Sequence, residues 1–231
     1  MNIIGLDIGT SSVKALLVSN MGEVLKVSSQ EYPFQTPRPL WAEADPEIWW
    51  QATKQAVNEL LEGIDPGSIS AIGLTGQMHG MVALGVSGQV LRSCIMWNDQ
   101  RSHEECEEIT SMVGAENVLK ITGNPVLAGF TAPKIKWMQK NEPEIFKKVS
   151  KILLPKDYIR YRLTGEFFSD VSDASGTSLL NVGERKWSEE ILQVLGWDPS
   201  WLPPVTESTE MSAKISSYGA EATGLLEGTP V

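Results

Sequence analysis

Side chains able to do chemistry gather in two short stretches of this chain. The first is IIGLDIGTSSVKALLVS, residues 3–19, where one carboxylate, Asp7, interrupts an apolar run that leads into a small-residue turn. A carboxylate inside an apolar strand is costly unless it is paired, hydrogen-bonded or neutralised by a cation. The turn that follows offers Gly9 for close backbone approach, hydroxyls from Thr10, Ser11 and Ser12, and a positive charge from Lys14. Converging backbone amides, hydroxyls and a cation suit a magnesium-bound phosphate, with Asp7 reaching the metal through phosphates or water. A second reading stands beside it: a tight hairpin whose Asp7 only hydrogen-bonds the turn backbone. Neither G-x-x-x-x-G-K-[ST] nor G-x-G-x-x-G occurs, so any phosphate cradle here is a hairpin and not a helix-opening loop.

The second stretch is GQMHGMVAL, residues 76–84, followed at some distance by MWNDQRS, residues 96–102. Gln77 and His79 flank Met78. A neutral imidazole both donates and accepts hydrogen bonds, and a methionine between two polar residues suits a pocket wall. Read bare, His79 is more readily a hydrogen-bonded structural histidine and Met78 core filler. Trp97, Asn98 and Asp99 fall at the carboxyl end of a strand, where open α/β sheets place ligands; Asp99 serves alternatively as a helix cap.

Elements that would carry these residues are legible from pattern. Residues 3–8 and 13–18 form a hairpin, and Val24 to Ser28 adds a third strand. Asp45 and Pro46 open a helix whose apolar stripe runs from Ile48 to Leu61, and Ile69 to Thr75 is a fourth strand. Three strands, a helix and a strand predict an α/β domain with a mixed sheet flanked by helices. A further hairpin is predicted from Met81 to Leu84 and Val90 to Ile95. Residues 122–181 read as a mainly helical insertion. Asp170 and Asp173, in SDVSDASGTS, read as an exposed turn. Gly228 to Val231 reads as a helix stop and the first residues of another strand.

The chain has 231 residues, 42% hydrophobic and 21% charged, ordinary values for a globular protein. Its net charge of −10 argues against nucleic acid as a partner. Basic residues between Lys134 and Arg162 alternate with apolar ones and predict a solvated helix face. Two distant cysteines give no redox or zinc motif, and no stretch has the length of a membrane span, so a reducing cytoplasm is expected. Eight tryptophans, several in loops, are compatible with a homodimer interface.

LDIGTSSVKALL, PLWAEADPEIWW, GLTGQMHGMVAL, IMWNDQRS, ITGNPVLAGFTAPKIKWM, ILLPKDYIRYRLTGEF and SDVSDASGTSLLNV stand in the order and spacing of the FGGY carbohydrate kinases, which the chain resembles over nearly its whole length. The resemblance implies an actin-like, ribonuclease H-like fold in each of two domains, this chain being the first, sugar-binding one, with ATP held mainly by the second. It implies ATP and Mg2+ as cofactors and a ketose as substrate, D-xylulose being the expected acceptor and ribulose, glycerol or gluconate the alternatives. A non-catalytic sugar-binding module is the reading from a different class. Residue by residue, Asp7 lies near metal and phosphates, with Gly9, Thr10, Ser11, Ser12 and Lys14 on the phosphate side. Gln77, Met78, His79, Trp97, Asn98 and Asp99 stand at or near the sugar. The general base is implied to be an aspartate beyond Val231, so the chain alone is expected to be inactive. An exposed apolar patch is expected near its carboxyl terminus.

Overall fold

Alternating side chains decide the first layer. The computed structural model describes residues 1–231, and in it β1 (Asn2–Ile8), β2 (Ser12–Ser19) and β3 (Val24–Glu31) form an antiparallel meander, with β5 (Ile69–Gly76) lying parallel to β1. The sheet order is β3-β2-β1-β5. Ile4, Leu6 and Ile8 of β1, with Val13, Ala15 and Leu17 of β2, all point to one face and are buried. Helix α1 (Pro46–Leu61) covers that face with Trp49, Trp50, Ala56, Val57 and Leu60. It starts where expected: the Asp45 side chain accepts the Glu47 amide and Pro46 fills the first turn.

The opposite face is open, and it carries Asp7. Since residues i and i+2 share a face, Asp7 lies with Ile3 and Gly5, beside Lys14 of β2 and Thr75 of β5, and is exposed. The expected desolvated carboxylate is therefore corrected. The run containing it is buried on one side only, and Asp7 falls on the other. Ile3 and Val27 are exposed apolar side chains on that face, and Met211, Tyr218 and Leu226 are exposed towards the carboxyl terminus.

A second core, distinct from that of the sheet, is built by helices. It joins α2 (His103–Val113), α3 (Ala115–Thr122), α4 (Thr131–Asn141) and α8 (Glu189–Leu195) through Ile109, Val113, Ile121, Ile135, Met138, Ile191 and Leu195. Between the cores run β6 (Val82–Leu84), paired with β8 (Lys151–Leu153), and β7 (Cys94–Ile95), paired with β4 (Glu43–Ala44). Both faces of β6 are buried: Val82 and Leu84 enter the first core, Met81 and Ala83 the second. The predicted hairpin survives only as isolated bridges, Met81 to Ile95 and Leu84 to Val90, because β8 takes the long edge of β6.

Residues 122–181 do not stand apart as an insertion. They are divided between the cores, for α6 (Pro155–Thr164) packs Tyr158, Ile159 and Leu163 under the sheet while α4 belongs to the helical core. The basic segment is likewise no solvated face. Lys134, Lys156 and Arg160 are buried, and Lys156 meets Asp157 at 2.7 Å, Asp170 at 2.7 Å and Asp173 at 3.2 Å. That network explains why Asp170 is buried and not on an exposed turn, although it does also accept the Ser172 amide at the start of the short helix α7 (Val171–Ala174). No helix is long and apolar enough to cross a membrane.

Candidate active site

Parallel β1 and β5 end at the same edge of the sheet, and this brings the two chemically rich stretches together. The Gln77 amide donates to Ile8 O at 2.7 Å, and the Gln77 side-chain Nε2 donates to Gly9 O at 3.0 Å. Tyr32 Oη donates to the same Gly9 oxygen at 2.7 Å. Gly76 allows this approach, since a Cβ there would stand 2.7 Å from Ile8 O. Burial, with the Asp7 carboxylate nearby, holds the Tyr32 phenol well above its ordinary value, so it remains a donor. Gln77 is thereby buried as a strut of the turn and does not face the cleft.

Within the turn, the Gly9 amide is used by Ser12 O at 2.9 Å, whereas those of Thr10 and Ser11 donate to nothing in the protein. Free amides and hydroxyls on a small-residue turn, with exposed Asp7 and Lys14 opposite each other on β1 and β2, are donors of the kind that suit an anion accompanied by a hard cation. No group of three or more His, Cys, Asp or Glu side chains is placed to hold a metal ion by itself.

His79 sits between β5 and β6 with φ 66°, a left-handed conformation unusual for a residue with a Cβ. Its ring is fixed on two sides. Phe130 stacks on it at 4.5 Å between centroids, and Nδ1 lies 2.7 Å from Gly176 O. A carbonyl only accepts, so Nδ1 carries the proton and Nε2 is the acceptor of a neutral ring. Burial, helped by the charge of Lys134, holds the imidazole below its ordinary value against the opposing pull of the Gly176 carbonyl, which favours the neutral form at pH 7. Ring and backbone are nearly in contact: a Cβ on Gly176 would come within 2.2 Å of His79 Cε1.

An open cleft of about 470 Å3 lies beside this ring, lined by His79, Trp97, Gln100, His103 and the segment 126–130. Trp97 joins it to the turn, for its indole Nε1 donates to Thr10 Oγ1 at 3.0 Å. Met78 is exposed next to His79. The remaining predicted residues are elsewhere. Asn98 borders a separate groove formed by residues 34–42. Asp99 is fully buried: its carboxylate accepts from Arg101 N, Nε and Nη2 at 2.7–3.0 Å and from the Ala42 amide at 2.6 Å. That corrects its expected place as a wall. Asp99 holds the loop carrying Trp97 instead, with Arg101 lying 3.7 Å over the Trp41 ring and bonded to Glu43 at 2.6 Å. Nor does it cap α2, which begins four residues later at His103 with Ser102 in the cap position.

Sequence reasoning missed Phe130, Gln100, His103 and Gly176. Phe130 lay inside a quoted motif, GFTAPK, but only the fold brings it to His79 from 51 positions away, and Gly176 from 97.

The model of the FGGY family of carbohydrate kinases, N-terminal domain, matches residues 2–231. The chain belongs to that family. Curated relatives include the xylulose kinase of Escherichia coli, 44% identical over 96% of this chain and 46% of its own length, and that of Bacillus subtilis, 42% identical over 99% and 46%. The crystal structure of xylulose kinase from Rhodospirillum rubrum superposes with a TM-score of 0.96 at 30% identity, covering 100% of this chain and 48% of that one. The chain thus spans about half the length of the relatives it matches. Its fold is the actin-like, ribonuclease H-like fold of these kinases.

Proposed function

We propose that the whole protein transfers the γ-phosphoryl group of ATP to a hydroxyl of D-xylulose, giving D-xylulose 5-phosphate and ADP, and that this domain supplies the sugar cleft and one side of the phosphate site. The observation carrying the reading is Trp97. One side chain forms a wall of the His79 cleft and bonds the Thr10 hydroxyl, so a sugar in the cleft stands one residue from the turn that would face a phosphate. His79 Nε2 accepts a sugar hydroxyl, while Met78 and Phe130 give apolar surface. The Thr10 and Ser11 amides and Lys14 stabilise charge on the transferring group, the largest contribution a protein makes to phosphoryl transfer besides positioning. Asp7 and the turn hydroxyls are hard oxygen donors, the kind that hold Mg2+ together with phosphates and water. Magnesium bound there would supply charge neutralisation.

No carboxylate lines the cleft. The group that accepts the hydroxyl proton is therefore proposed to come from outside these residues, and this domain alone to turn over no ATP. The test has two arms. Calorimetric titration of D-xylulose into the 231-residue chain is expected to give weak binding that His79→Ala abolishes. A panel of D-xylulose, ribulose, glycerol and gluconate with the full-length protein and ATP should show the highest kcat/KM for D-xylulose. Equal rates on glycerol, or sugar binding without turnover in the full-length protein, would reject the assignment.

A further inference from the structure

The group in this fold that no role above uses is the ammonium of Lys134. It lies in the first turns of α4, fully buried, in a segment whose other lysines reach solvent or acidic partners. Its Nζ donates to His79 O at 2.9 Å and, by a shorter contact, to Gly129 O. Thr131, three residues earlier on the same helix, adds its hydroxyl to His79 O at 3.2 Å. Gly129 in turn is pressed against Trp97, since a Cβ there would stand 2.8 Å from Trp97 O. One ammonium thus joins the backbone under the histidine to the backbone beside the tryptophan, and His79, Gly129 and Trp97 all line the cleft.

We propose that Lys134 is a positioning residue for the sugar site, its charged Nζ clamping the His79 and Gly129 carbonyls so that His79 keeps its left-handed backbone and presents Nε2 to the substrate. The inference rests on the reading of His79 as a sugar contact.

Burial without a counter-charge is what sets this lysine apart. Cys94 of β7 and Cys106 of α2 face it, but burial pushes their thiols up to about 12 and about 11, so both stay neutral. Asp99, the carboxylate whose charge reaches it, is already bidentate to Arg101, whose own positive charge also faces Lys134. The remaining neighbour, His79, is neutral. Two carbonyls are all that hold the charge, and a structural lysine would be expected to reach a carboxylate, as Lys156 and Lys140 do. Desolvation brings Lys134 down to about 7, so the clamp is fully charged below neutrality and weakens as pH rises.

Two substitutions read the clamp: Lys134→Met removes every donor at similar volume, and Lys134→Gln keeps an N–H without the charge. Because the chain holds two histidines, His79 and His103, imidazole nitrogen NMR signals are simple to assign. In the wild type His79 should show a single Nδ1–H tautomer. In Lys134→Met that signal should become a tautomer mixture, and the D-xylulose Kd should rise about tenfold, the loss of one charge-assisted hydrogen bond; Gln should fall between. An unchanged His79 signal with unchanged affinity, or a lowered melting temperature with neither readout moved, would overturn the proposal and leave Lys134 merely structural. Should both variants fail to fold, the wild type decides. Affinity must decline on the alkaline side with a midpoint near pH 7, whereas His79 protonation acts on the acid side. A flat alkaline limb refutes the clamp. If D-xylulose binds neither this chain nor the full-length protein, the proposed function fails, and the tautomer measurement alone judges Lys134.

Discussion

Replacing Asp99 by alanine separates the structural account of this residue from a substrate contact. The carboxylate accepts from three nitrogens of Arg101 and from the Ala42 amide, and both the Asp99 and the Arg101 side chains are inaccessible to solvent. Deleting it leaves a buried guanidinium with Glu43 as its one remaining acidic partner, and leaves the Ala42 amide unsatisfied. Breaking a buried pair from one side costs about 3–5 kcal/mol. The Glu43 contact and the Trp41 face retain part of the stabilisation, so the lower end, about 3 kcal/mol, is expected, a large share of the roughly 5–15 kcal/mol typical of a domain. Urea unfolding followed by tryptophan fluorescence reads this as a drop in midpoint at unchanged slope. Converting Arg101 to methionine in the same protein should restore part of the loss, since an uncharged pair of sites costs less than a lone buried charge. Below the unfolding transition the variant should bind D-xylulose within a few-fold of the wild type. A loss under about 1 kcal/mol, or intact stability with abolished sugar binding, would show that Asp99 belongs to the ligand after all.

Gly176→Ala places a Cβ within 2.2 Å of the His79 ring, so the imidazole must swing out, and D-xylulose affinity should fall at least tenfold, a loss of about 1.4 kcal/mol, measured by calorimetry, with a small change in melting temperature. pH supplies another check. The His79 imidazole is held below 6.5 in the folded chain, so the unfolded state binds more protons as pH drops below that value. Stability is therefore fully present above 6.5 and declines as pH falls through the folded value, and sugar affinity follows it as Nε2 becomes protonated. Calorimetry between pH 5 and 7, compared with a His79→Gln variant lacking this acid limb, measures both effects.

How much of this was legible beforehand depends on what each residue needed. β1, β2, β5 and α1 follow from apolar periodicity and the Asp45-Pro46 start, which are local. The meeting of the Asp7 turn with His79 follows as well, because β1 and β5 end at one edge whenever they pair in parallel. Asp7 was misjudged because a run of isoleucines and leucines looks buried throughout. The period of two within it, with Gly5 and Asp7 between Ile4, Leu6 and Ile8, already places the carboxylate on the opposite face. Lys134 and Asp99 were harder. Lys134 occupies a helix whose lysines alternate with apolar residues, which is also how a solvated face reads, and its burial depends on carbonyls 5 and 55 residues away. For Asp99, Arg101 is two residues on and visible, but Trp41 and Glu43, which bury the pair, come from a proline-rich loop with no helix or long strand to announce it.

Exposure of Asp7 changes the chemical argument and does not dissolve it. A buried carboxylate would need its cation merely to exist in the fold, and the domain would be stabilised by metal in the absence of nucleotide. An exposed one, opposite Lys14 and beside a turn with two free amides, costs little when empty and, on the proposed function, would gain a partner when phosphates arrive with their counter-ion. Such a site binds weakly from one side and requires a second surface to exclude water, which is the arrangement expected of a kinase that must not spend ATP on solvent. The open sheet face and the open cleft are thus consistent with one another: each presents half of a set of contacts, polar at the strand ends where the turn lies and apolar at Trp97 and Phe130 where a sugar would rest.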